Sequence, residues 1–391
     1  MLILFFQSII RYIRCFAEAF LPKQRAHAPL HFKRLLFLLL CPLFLGVQIL
    51  HWIGFLIDAL LFPSYRKVKV YQPIFITGIP RSGTTFTHRT LASEEGQFTT
   101  VSTWEAALAP SITAQKIVHR FAALDRKVGT PIAKCIRAIT QRGTKDFHAI
   151  HAVSPEAPEE DYLWLLPASS CLILLLAFPH STYLAQMAAL DTLPERQRER
   201  LLDYYESCIQ RHLYLHGHNR RFLSKNAAFA SWCSPLRKRF PDAKYIICVR
   251  EPSEALNSQL NSLAPARKLF GTDPSGALTS RLFLEIFVHN YSTLSKFTES
   301  LNPKDLALID QGDLRENSGM LLLEALRQID IVPSSALRKK LNQLPRQNLN
   351  KAQLNPSDVV SKFSQMNASL SFAYRSLMNS SNRTKLPTNV H

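Results

Sequence analysis

Between Ile74 and Leu91 the chain reads Ile-Phe-Ile-Thr-Gly-Ile-Pro-Arg-Ser-Gly-Thr-Thr-Phe-Thr-His-Arg-Thr-Leu. An apolar run enters a turn bounded by Gly78 and Gly83, and a helix is expected behind it. Glycines let the backbone approach an anion closely, successive N–H groups point at it, and a helix N-terminus adds favourable partial charge. The spacing is that of the phosphate-binding loop G-x-x-x-x-G-K-[ST], with Thr84 where that pattern has lysine and Thr85 at the hydroxyl position. Here the cation has moved into the loop, to Arg81. In nucleoside-triphosphate loops the lysine serves the β- and γ-phosphates and the hydroxyl serves Mg²⁺. Arg81, Ser82, Gly83, Thr84 and Thr85 instead suit a shorter, less charged group transferred without a metal clamp.

A second stretch, Phe240 to Ser258, carries Lys-Tyr-Ile-Ile-Cys-Val-Arg at 244–250, followed by Glu251 and Pro252. A strand is expected to end at Arg250, and Pro252 suits the first position of the next helix. Ser258 falls about two turns further along that helix. An arginine at a strand end and a serine on the following helix can hydrogen-bond one phosphate together.

Together the two stretches resemble the sulfotransferases that use 3′-phosphoadenosine 5′-phosphosulfate (PAPS), over roughly Pro73 to Asp330 and most closely the branch holding tyrosylprotein sulfotransferases and bacterial membrane-associated homologues. The resemblance implies that the Pro80–Thr85 loop holds the 5′-phosphosulfate and that Arg250 and Ser258 hold the 3′-phosphate. It further implies that Glu105, in Ser-Thr-Trp-Glu, is the general base and that Lys225, in Phe-Leu-Ser-Lys, stabilises the departing charge. Chemistry agrees: in-line attack by an acceptor hydroxyl needs one group to take the proton and cations to meet the charge that develops on the leaving phosphate. Lys225 is followed here by Asn226-Ala227, where the family often has Ser-Pro or Asp-Pro.

His148 and His151, followed by Glu156, Glu159, Glu160 and Asp161, could ligate a metal or supply an alternative base. The same string resembles a segment of this branch that needs no metal, so none is expected; Glu159–Asp161 could also merely charge the start of a helix.

Positioning these residues requires an α/β framework. Short β-rich runs at Ile74–Thr77, Arg221–Ser224, Lys244–Val249 and Leu306–Ile309 alternate with helical stretches, among them Leu193–His212 behind Pro194. That alternation predicts a mainly parallel sheet flanked by helices, the phosphate-loop fold of the sulfotransferases. Gly78 with Arg81, Lys225, Arg250 and Asp310 would all stand at the carboxyl ends of strands, where ligands bind in open α/β sheets. Leu163–Phe178 is apolar and interrupted by Pro167; it reads as buried core or a wall of the acceptor pocket. The expected organisation is a membrane-associated helical region at 1–70, the catalytic domain at 71–345, and a C-terminal helix with a frayed tail at 346–391.

The N-terminal region rests on Leu35–Ile57, which lacks any formal charge and is long enough to cross a bilayer. Basic residues flank it on both sides, so a spanning helix and a monotopic or re-entrant attachment both stay open. The whole chain of 391 residues carries 47 Lys+Arg against 29 Asp+Glu, a formal charge of +18, which points to an anionic ligand or surface. No nucleic-acid motif accompanies it. Seven cysteines without a C-x-x-C pair argue against a disulfide framework or a zinc site. The expected partners are therefore PAPS, a lipid bilayer and an acceptor hydroxyl on a lipid, glycolipid or glycan, with the catalytic domain facing the cytoplasm. The rival readings are a small-molecule or nucleotide kinase with a degenerate phosphate loop, and a membrane-bound nucleotide-binding protein without catalysis.

Overall fold

The computed structural model describes residues 1–25, 27–131, 134, 155–344 and 364–386. Two helices lead the chain: α1 (Leu2–Glu18) and α2 (Phe32–Leu61). There follow β1 (Ile74–Gly78), α3 (Thr84–Ala92), β2 (Phe98–Thr99), α4 (Thr103–Ala107) and α5 (Ile112–Lys127). After these come α6 (Glu195–His216), β3 (Arg221–Lys225), β4 (Lys244–Val249), α7 (Pro252–Phe270) and α8 (Ala277–Ser300). Then β5 (Leu306–Asp310), α9 (Ser318–Gln328) and, closing the described chain, α10 (Ser364–Met378).

The five strands form one parallel sheet in the order β2-β3-β1-β4-β5. The four expected strands are present within a residue of their sequence-derived bounds. β2 was not anticipated, because two residues carry no readable alternation. Strand period sorts the side chains: Ile74, Ile76, Ile246, Cys248, Ala307 and Ile309 enter the core on the side of α9. Phe75, Tyr245, Ile247 and Val249 enter the other core, which α6 and α8 cover.

That second core also takes in Leu4, Tyr12, Leu38, Trp52 and Phe55, so α1 and α2 pack on the sheet domain and share its interior. Among the described residues, α2 is the one helix long and apolar enough to cross a membrane. Yet the indole N–H of Trp52 donates to Pro167 O at 2.9 Å, and Arg34 Nη1 donates to Ala177 O at 2.8 Å. Leu163–Phe178 is no continuous helix; it is broken into short turns lying directly beneath α1 and α2.

The expected frayed tail is ordered as far as it is described. Leu308 N donates to Asn382 O and Thr384 N to Leu308 O, so the residues after α10 run along the free edge of β5. Leu370, Ala373 and Leu377 of α10 are buried in the main core. The six described cysteines are all free thiols.

Candidate active site

Gly78 ends β1 with φ +135°, and a Cβ there would lie 2.0 Å from Cys248 O on β4. Only glycine tolerates both that dihedral and so close a strand neighbour. Ser82 is buried and pulls the loop tight by donating to Ile79 O at 2.6 Å and Cys248 O at 2.9 Å. Gly83, φ +96°, opens α3, with Thr84 and Thr85 as the first two helical residues. The first-turn N–H groups have no partner inside the helix and face outward from its N-terminus.

Arg81 adopts φ +68°, a conformation seldom taken by a non-glycine residue. Arg250 Nη1 (3.3 Å) and Gln311 Nε2 (3.2 Å) both donate to its carbonyl. Its own Nε donates to Ser258 Oγ at 3.2 Å. No carboxylate pairs with Arg81 among the described residues. Partial desolvation, then the charge of Arg250, push its guanidinium below the ordinary arginine value.

The strand ends bring the expected cations together. Lys225, the last residue of β3, is in register with Ile76 of β1, and Gly78 is in register with Cys248, two residues before Arg250. Lys225 and Arg250 therefore flank the loop from the two strands beside β1. Arg250 is held on Glu254 of α7 through Nε (3.2 Å) and Nη2 (2.9 Å). Asp310 caps the turn after β5, accepting from Gly312 N at 2.8 Å, and takes the Tyr374 hydroxyl of α10 at 3.0 Å.

The partner of Lys225, 3 % exposed, is Glu160. The segment before it is laid alongside α4 by three backbone bonds: Trp104 N to Pro155 O, Thr103 N to Ala157 O and Glu159 N to Val101 O. Reading Glu159–Asp161 as helix-start charges missed this pair. The sequence signal available was an acidic run in a chain with few acids.

Glu105 is buried on α4, and its carboxylate accepts from Ser102 N and Oγ, each at 2.7 Å, and meets His216 Nε2 at 2.9 Å. Burial opposes its ionisation, but the His216 hydrogen bond, the neighbouring His212 and the Ser102 N–H hold it at about 2. No hydrogen bond or ion pair joins it to Arg81, Lys225 or Arg250 among the described residues. Glu105, His212 and His216 could offer a metal donor atoms within 4.8 Å of one another, although Glu105 and His216 already satisfy each other. His148 and His151 lie outside the described residues.

Behind the Lys225–Glu160 pair is a buried network. The Tyr205 hydroxyl of α6 donates to Asp161 Oδ2 at 2.5 Å and lies 3.2 Å from Ser224 Oγ. Glu160 and Lys225 each adjoin one member, so the network fixes both backbones. Desolvation raises the Asp161 carboxyl to about 7, against the hydrogen bonds from Ser224 and Tyr205. A carboxyl raised on folding gives stability that is complete below its unfolded value, near 4, and is lost as pH rises through about 7. Buried His88 and His212, both held at about 3 by desolvation, act in the opposite sense, so the comparison must be differential. Between pH 4 and 7, thermal melts of the wild type are expected to lose stability relative to Asp161→Asn. Parallel curves would show that Asp161 does not titrate there.

Residues 73–318 match the sulfotransferase family. No curated protein sequence matches the chain. In structure it is similar to sulfotransferase STF1 from Mycobacterium tuberculosis H37Rv, at 15% identity and a TM-score of 0.66 over 91% of this chain and 92% of that one. It is also similar to sulfotransferase STF9 from Mycobacterium avium, at 14% identity and a TM-score of 0.58 over 78% and 79%. A likeness over 91% necessarily extends past residues 73–318 into the flanking helices.

Proposed function

The chain belongs to the sulfotransferase family, and on that premise we propose that it uses PAPS as donor and carries the sulfuryl group to an acceptor hydroxyl without a metal. The observation that supports this most is the loop arginine without a counter-ion among the described residues: Arg81, beside a second cation, Arg250, on an open helix N-terminus. Such an arrangement favours an anionic ligand. The same observation disfavours a kinase reading, because Thr84 stands where a triphosphate loop keeps its lysine.

When bound, PAPS supplies the sulfuryl group and, as adenosine 3′,5′-bisphosphate, the group that leaves. Arg81, Ser82, Gly83, Thr84 and Thr85 would hold its 5′ end, and Arg250 with Ser258 its 3′-phosphate. Lys225 meets the negative charge that develops on the leaving side. A carboxylate takes the acceptor's proton. By family resemblance that carboxylate is Glu105. One observation favours a second reading: Glu160 is the acid in contact with Lys225, whereas Glu105 is engaged by Ser102 and His216.

The acceptor is proposed to be a hydroxyl on a membrane lipid or glycolipid, with a glycan as the next candidate. Support comes from the Leu163–Phe178 segment, which lies against the inner side of the apolar helices α1 and α2. The protein is correspondingly proposed to be membrane-associated, its catalytic domain facing the cytoplasm, a reading supported by the short connection from Phe62 to β1. Incubation with sulfur-labelled PAPS and fractionated membranes, in the presence of chelator, is expected to label a membrane component. Arg81→Ala should lose at least 99% of that label. Undiminished labelling by Arg81→Ala, or strict Mg²⁺-dependent turnover of ATP instead, would sink the assignment.

A further inference from the structure

We propose that the protein lies in the plane of one membrane leaflet on the outer faces of α1, α2 and α5, and that α2 does not cross the bilayer. This rests on the membrane association proposed above and adds its geometry.

The argument begins with the polar residues of α2. Near its start, Arg34 is fully buried and its Nη1 donates to Ala177 O at 2.8 Å and Phe270 O at 3.2 Å. Near its end, Asp58 is fully buried; it pairs with Arg211 of α6 at 2.9 Å and accepts from the first two N–H groups of α5. Trp52 ties the stretch between them to Pro167. From Arg34 to Asp58 a helix rises about 36 Å, more than the hydrocarbon thickness of about 30 Å. A helix bonded to one rigid domain at both of these points cannot put its ends on opposite sides of a bilayer unless at least one of the two buried charges loses its partners, at several kcal/mol.

The opposite face is apolar and, among the described residues, uncovered. On α2, Leu36, Leu43 and Leu50 recur at seven-residue steps and are all exposed. On α1, Ile3, Phe6, Ile10 and Ile13 make an exposed helical stripe, and its inner side meets α2 through Phe5 and Trp52. On α5, Ile117, Phe121 and Leu124 do the same, where Ser111 abuts Gly54 of α2. Three touching helices thus expose apolar stripes together, far more than scattered surface leucines.

Charge selects the occupant. The first 70 residues hold nine basic and two acidic side chains. Of the acids, Asp58 is buried and Glu18 is paired with Arg14. Lys33, Arg66 and Lys67 near the ends of α2, and Lys116 and Arg120 on α5, are exposed. An apolar face with a basic border fits an anionic leaflet.

The test uses the full chain added to preformed liposomes, either neutral or containing about one third phosphatidylglycerol. Flotation is expected to be at least tenfold stronger with the anionic vesicles. In the bound state a membrane-impermeant amine reagent should modify both Lys33 and Lys67, read by mass spectrometry, with no gain when the vesicles are permeabilised. Leu43→Glu combined with Phe121→Glu should cut flotation at least tenfold while leaving the thermal melt unchanged. If one of the two lysines reacts only after permeabilisation, α2 spans, and the in-plane geometry falls while membrane association stands. If the protein fails to float, or forms a defined dimer that hides this face, membrane association itself fails.

Discussion

Lys225→Met is expected to lower the turnover of sulfuryl transfer by about 10²–10³-fold, the cost of removing one preorganised electrostatic donor from a buried site. Lys225 is almost wholly buried at the end of β3, two residues from the level of Gly78 in the adjacent strand. The low local dielectric magnifies its effect on charge that appears only in the transition state. Donor KM should move much less than kcat, because Arg81, Arg250 and the loop N–H groups remain. The fold should survive: Glu160 is partly exposed and can be rehydrated when its partner is removed. A kcat within threefold of wild type would remove Lys225 from the machinery.

The same assay separates the two candidate bases. Glu160→Gln should lower kcat by about 10²–10⁴-fold while leaving the thermal melt near that of the wild type. Glu105→Gln should act first on the thermal melt, since it weakens the bonds with Ser102 and His216. The reverse pattern, an intact melt with a kcat loss of that size for Glu105→Gln alone, would assign the base to Glu105.

The second large effect concerns stability. Asp58→Ala should cost about 3–5 kcal/mol, as expected when one member of a buried ion pair is removed and the other is stranded. Both side chains are inaccessible, and Asp58 also serves Ile112 N (2.9 Å), Thr113 N (2.8 Å) and Thr113 Oγ1 (2.7 Å). Arg211 keeps the Tyr65 hydroxyl at 2.9 Å and the ring of Phe55, but nothing among the described residues that neutralises it. The double variant Asp58→Ala/Arg211→Met should lose clearly less than the sum of the two single variants. Additive losses in denaturant melts would mean that the pair does not couple α2 to the domain.

The strand–turn–helix loop was legible in the amino-acid order because its parts are local. A strand, a glycine-bounded turn and a helix start occupy consecutive residues, and so do the strand end at Arg250 and the helix that carries Ser258. Backbone geometry alone then decides where those N–H and guanidinium groups stand. The parallel sheet was legible for a related reason, since buried strands alternating with helices have few other ways to pack.

Partnerships across the chain were not legible. Lys225 meets Glu160, Glu105 meets His216, and Asp58 meets Arg211, each pair separated by many residues and marked by no spacing. The apolar run of α2 showed the same limit: its composition fits a bilayer span, while Arg34, Trp52 and Asp58 acquire meaning only from the atoms they touch. Hydrophobic pattern reports what must leave water, but a buried polar group is stable only with a particular partner, and the fold alone supplies that partner.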